Sequence, residues 1–102
     1  MVYIITMKQT IKILSTLAEP TRLKAMRLMC DGQEHCVCEL MKALKKSQPC
    51  MSRHMITLKK AGLVTDRRDA QWVRYRRNLA LPKQVAALVK AALAVEKQTM
   101  GK

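Results

Sequence analysis

The chain has 102 residues, enough for one domain with a modest core, and its 20 Lys+Arg against 7 Asp+Glu give a formal net charge of +13. Such an excess favours a polyanionic partner, although a well-solvated basic surface without a ligand would have the same composition. With no Phe, one Trp and two Tyr, the chain has few rings to stack on single-stranded nucleic acid, and a core of Leu, Ile, Val, Ala and eight Met suits helices better than a β-sandwich.

Residues 1–7 read as an N-terminal extension. A first helix is expected over 8–18, where Ile11, Ile13, Leu14, Leu17 and Ala18 fit one buried face. Pro20 suits the first turn of a second helix running to about Cys30, with Leu23, Met26 and Cys30 on one face. Asp31-Gly32 is a stop. A short third helix fits 37–45, with Leu40 and Leu44 one turn apart. Ser47 then caps a fourth helix, with Pro49 in its first turn, Met51, Met55 and Leu58 as its buried stripe, and Gly62 ending it. Two extended segments, Leu63-Val64-Thr65 and Val73-Arg74-Tyr75-Arg76, flank Arg67–Gln71 as a short hairpin. Pro82 opens the last helix, 83–98, rich in Ala, Val, Leu and Lys. The expected fold is mainly α with a small β-hairpin: a dimeric winged helix-turn-helix domain over 1–102, with 83–98 as the dimerisation helix. The same elements would also fit another α+β domain.

Function concentrates on the fourth helix. Its buried stripe leaves Gln48, Ser52, Arg53 and Lys59 pointing outward, with His54 near that side. Gln and Arg there can pair with base edges of double-stranded DNA, while Ser47, Ser52 and Lys59 suit phosphates. Arg67, Arg68, Arg74 and Arg76 of the hairpin are placed to reach the minor groove or backbone. Read singly, each could be an ordinary solvated charge.

Several runs, in order, resemble the ArsR (ArsR/SmtB) family of winged-helix metalloregulatory repressors. Leu17-Ala18-Glu19-Pro20-Thr21-Arg22-Leu23 is similar to its opening signature. Ser47-Gln48-Pro49, Ser52-Arg53-His54-Met55, Leu58 and Ala61-Gly62-Leu63-Val64 resemble its recognition helix and exit, and Trp72-Val73-Arg74-Tyr75 its wing. The resemblance covers roughly residues 8–95. It implies a homodimer joined through the first and last helices, reading successive major grooves of a near-palindromic operator. The broad apolar surface of the last helix, with Val85, Leu88, Val89, Ala92 and Val95, independently asks for a second subunit as well as burial within the chain.

Four cysteines remain: Cys30, Cys36, Cys38 and Cys50. Nothing resembles a signal peptide, and no run approaches the roughly 18 apolar residues of a membrane span. The expectation is a cytoplasmic protein with free thiols and no membrane partner. Thiolates of Cys36-Val37-Cys38, at the start of the third helix, are favoured by the helix dipole and select soft ions. Residues two apart do not share a helix face, so one ion held by both sulfurs should strain or unwind the first turn. Cys36-Val37-Cys38-Glu39-Leu40 is similar to the metal box of family members that sense arsenite, antimonite, cadmium or lead. The resemblance implies As(III) or Sb(III) as inducer, with Cd(II)/Pb(II) or thiol oxidation as alternatives and no organic cofactor. It also implies release from DNA on binding.

Met41 stands where some relatives have a third Cys and reads as core. Cys30 or Cys50 is a candidate third ligand, although core packing suits Cys30 better and an incidental thiol suits Cys50. His35 reads as an exposed loop residue. The last helix lacks the His and Asp of the family's zinc site, and residues 1–29 contain no Cys. A small thiol redox enzyme or metal carrier is disfavoured, because neither a C-x-x-C spacing nor a nucleophile–base–orienter set is present.

Overall fold

The computed structural model describes residues 6–100, with side-chain surroundings through Val95. In chain order it contains α1 (Met7–Leu17), α2 (Pro20–Leu28), β1 (His35–Cys36), α3 (Val37–Leu44), α4 (Gln48–Lys60), β2 (Val64–Asp69), β3 (Trp72–Arg77) and α5 (Lys83–Met100). Helix–turn–helix α3–α4 followed by the β2–β3 hairpin is the expected winged arrangement. Most of the 1–7 extension lies outside the described residues, but Thr6 caps α1 and Met7 is its first helical residue.

Local chemistry sets the element ends. Thr6 and Gln9 form a capping box, the Glu19 carboxylate accepts the Arg22 amide at the start of α2, and Ser47 Oγ accepts the Cys50 amide at the start of α4. Gly62, with φ of 80°, takes the left-handed conformation that ends α4. Ala70 (φ 57°) turns the hairpin tip between Asp69 and Trp72.

The core lies where α2, α3 and α4 meet the sheet. Met26, Met29, Leu40, Met51, Met55, Leu58 and Leu63 are its largest fully buried side chains, and dense packing makes each methylene count. The expected α4 stripe Met51, Met55 and Leu58 is fully inside. The second helix departs from expectation. It stops at Leu28, and the Cys30 amide bonds to the Arg27 carbonyl instead of continuing the α pattern. That tightening swings Met29 into the core and leaves Cys30 exposed, so Cys30 is not the core residue its spacing suggested.

The sheet has one strand more than the sequence pattern contains. The order is β1-β3-β2, all antiparallel, with His35 opposite Tyr75 and Cys36 opposite Arg74. The hairpin is also longer than expected, paired from Val64–Arg77 out to Asp69–Trp72. In α1, Ile13 and Leu17 are buried while Ile11 and Leu14 stay 58% and 47% exposed, so its apolar residues divide between two faces. Along α5, Val85 and Val89 face the core, whereas Ala86, Ala87, Ala91 and Ala94 are exposed. Among the described residues no helix is long and apolar enough to cross a membrane.

Candidate nucleic-acid interface and cysteine site

Helix α4 presents Gln48, Pro49, Arg53, Ile56, Lys59 and Lys60 to solvent, with Ser52 half-buried among them. Exposed Ile56 was missed by the sequence reading because an apolar residue in a helix is read as core. Its position between Ser52 and Lys60 on the outward face was the available signal. His54 lies on the other flank. Its Nδ1 is 3.2 Å from Arg22 Nη1 and its Nε2 3.9 Å from Glu19, while Arg22 Nε donates to the Thr16 carbonyl at 2.6 Å. This imidazole ties α4 to the α1–α2 corner. Burial acts to raise the Glu19 carboxyl, but the Arg22 amide and the neighbouring His54 and Arg22 charges outweigh it and hold the group below the usual glutamate range. Lys59 pairs with Asp66 at 3.0 Å, which fixes α4 to the hairpin.

The hairpin arginines have partners that their sequence positions do not reveal. Arg67 makes two bonds to Glu34, at 2.6 and 2.9 Å. Arg76 donates twice to the Gly32 carbonyl, at 2.9 and 3.1 Å, and Arg77 donates to the Cys30 carbonyl at 3.3 Å. Arg74 bonds Asp69 at 2.8 Å within the hairpin. Together with the β1–β3 pairing, these contacts lash segment 30–36 to the wing. Among Arg67, Arg68, Arg74 and Arg76, only Arg68 has no side-chain hydrogen bond or ion pair among the described residues.

The Arg67 bond holds the Glu34 carboxyl below its ordinary value. A carboxyl depressed by folding contributes stability above its unfolded pKa and loses it as pH falls through the folded value. An NMR titration should therefore find the Glu34 midpoint below that of an ordinary glutamate, and Arg67→Gln should move it back up. An unchanged midpoint in the variant would rule out this cause.

Segment 30–36 leads directly into the cysteine pair. Cys36 is the N-cap of α3, with extended backbone (φ −66°, ψ 143°), and lies outside the helix. Its Sγ accepts the Cys38 amide at 3.3 Å, and its own amide donates to the Glu39 carboxylate at 3.2 Å in a capping box. The Cys36 and Cys38 sulfurs are joined, with Cα atoms 5.1 Å apart. Two expectations are thereby corrected. These two thiols are a bonded pair, not free, and the sulfurs meet while α3 stays regular from Val37 onward. The i and i+2 argument fails because it assumed that both residues were helical.

Cys30 and Cys50 are free thiols. Among the described residues no three His, Cys, Asp or Glu side chains are grouped to hold a metal ion. His35 is not a loop residue: it sits in β1, largely covered, 3.1 Å from Asp31 and 3.3 Å from Glu39. Its bonds and that of the Gln33 amide keep the Asp31 carboxyl low, the amide contributing most. Met41 packs partly buried against the core, as expected.

The family described as bacterial regulatory protein, arsR family, matches residues 19–66. The arsenic resistance transcriptional regulator ArsR2 of Pseudomonas putida is 42% identical over 86 residues, which span 84% of this chain and 75% of the relative. The arsenical resistance operon repressor of Escherichia coli is 38% identical over 88 residues, 86% of this chain and 75% of the relative. A homodimeric winged helix-turn-helix DNA-binding domain from Mycobacterium bovis, solved by NMR, superposes with a TM-score of 0.73 at 26% identity, covering 91% of this chain and 82% of that one.

Proposed function

The chain belongs to the ArsR family of bacterial regulatory proteins, and on that premise we propose that it is a homodimeric repressor which releases operator DNA when trivalent arsenic or antimony engages Cys36 and Cys38. Its relatives are transcriptional regulators, and it is not an enzyme. The observation that carries the inducer reading is the meeting of two sulfurs at the cap of α3, on a segment lashed to the wing.

In the DNA-bound state Gln48 and Arg53 address base edges and Ile56 offers an apolar contact for a thymine methyl. Ser47, Ser52 and Lys59 serve phosphates. Arg68 is the hairpin arginine available to the minor groove or backbone, while Arg67, Arg74 and Arg76 hold the wing's shape. His54 acts by fixing the angle of α4. The exposed apolar side of α1, with Ile11 and Leu14, and the alanine side of α5 form the subunit interface.

In the reduced protein each thiol gives its proton to one hydroxyl of arsenous acid. Two waters leave as two sulfur–arsenic bonds form, with no change in oxidation state. The remaining position on arsenic is filled from outside the pair. Cys36 then no longer caps α3 as before, and the change has two outlets: through α3 and its turn to α4, and through the Cys36–Arg74 and His35–Tyr75 pairs to the centre of the wing. Differential binding between these two states is what a ligand-driven release requires.

The test is an arsenite titration of the reduced protein on a duplex selected from a random pool. Release at stoichiometric occupancy, with two protein sulfurs per arsenic by X-ray absorption, is the expected result. Release without sulfur coordination would overturn the reading. The joined sulfurs favour one second reading, thiol oxidation, in which the pair loses two electrons and two protons to a peroxide that becomes water. Release by peroxide but not by arsenite would select it.

A further inference from the structure

We propose that the cleft between α2 and the end of α3 is a second phosphate-gripping surface, which holds the backbone of the same duplex beside the stretch that α4 reads. The cleft encloses about 540 Å³ and is lined by Lys24, Arg27, Lys45 and Lys46 around an apolar floor of Leu28 and Leu44. No carboxylate lines it, and none of the four cations forms an ion pair among the described residues.

Two further observations point to an anion. Arg27 Nη1 is buried with no hydrogen-bond partner, and a buried donor left unmade is costly until an acceptor arrives. Lys45 caps α3 in the left-handed conformation (φ 57°, ψ 49°), where Gly or Asn is the unstrained choice.

The choice of DNA over a small anion rests on continuity. Lys46 directly precedes Ser47, the cap of α4, so the cleft begins where the reading helix begins. A row of cations on two elements fits the repeating charge of a phosphate backbone, and not a single bound ion. The inference rests on the DNA-binding reading above.

The test compares the full-length reduced protein with its Lys24→Gln/Lys45→Gly/Lys46→Gln variant. Each binds the selected duplex with long flanks and the same duplex trimmed to the selected site. Glycine at 45 accepts the positive φ, so the variant should melt no lower than the parent. Each lost phosphate contact lowers the slope of log affinity against log salt by ~0.9, so three should lower it by roughly 2 to 3. On the flanked duplex we expect that shallower slope, together with an affinity loss that is the same for every sequence carrying those flanks. On the trimmed duplex parent and variant should bind alike.

Equal slopes for parent and cleft variant, or a loss undiminished on the trimmed duplex, would each overturn the proposal. A parent that selects no duplex at all would instead remove the regulator reading beneath it.

Discussion

Cys38→Ser protein should stay on its duplex at arsenite concentrations that strip the parent off. The substitution leaves a backbone amide at 38 to donate to Cys36 Sγ, and a hydroxyl of nearly the same size against the core, so α3 and the DNA affinity should persist. What disappears is chelation. A second ligand on the same short segment acts at a high effective concentration, and its loss should raise the arsenite needed for half-release by about 10²-fold or more. The measurement is a pair of titrations by fluorescence anisotropy, protein into duplex and arsenite into complex. Failure to bind duplex before any arsenite is added would make Cys38 a structural residue, and parental release would remove the pair from the sensor.

Met55→Ala should be the most damaging single truncation under the reading helix. Met55 is fully buried, at the centre of the stripe with Met51 and Leu58, and deleting it leaves a cavity in the core cluster. Such changes cost about 2–5 kcal/mol, a large part of the roughly 5–15 kcal/mol that holds a small domain together. At about 4–8 °C per kcal/mol for a chain of this size, the melting temperature should fall by roughly 8–40 °C. Met55→Leu preserves volume and should stay within about 1.5 kcal/mol of the parent. Equal melting of Met55→Ala and the parent would mean that the packing described here does not support α4.

What could be read from the sequence was local. Ser47, Pro49, Gly62 and the Met51–Met55–Leu58 stripe are close in sequence and follow one helical period, and they framed α4 before its surroundings were known. The β2–β3 pairing was legible for the same reason, through its short span. What escaped was non-local or depended on a single backbone rotation. Strand β1 has two residues and exists only because β3, nearly forty positions later, offers its edge. Glu34 and Gly32 gave no sign of being partners for Arg67 and Arg76. Cys30 left its stripe because α2 closed its last turn early, and Cys36 served as a cap although sulfur is a weak acceptor seldom counted for that role. The candidate residues could therefore be named from local pattern, while how they hold one another came only from the fold.

The capping role of Cys36 sets heat resistance against responsiveness. A hydroxyl accepts a backbone amide better than sulfur does, so Cys36→Ser should make α3 firmer while leaving the chain deaf to its inducer. Libraries screened only for survival on heating should therefore drift from cysteine at this position, discarding the sensor as an apparent improvement. Cysteine would persist there only under a screen that also rewards letting go.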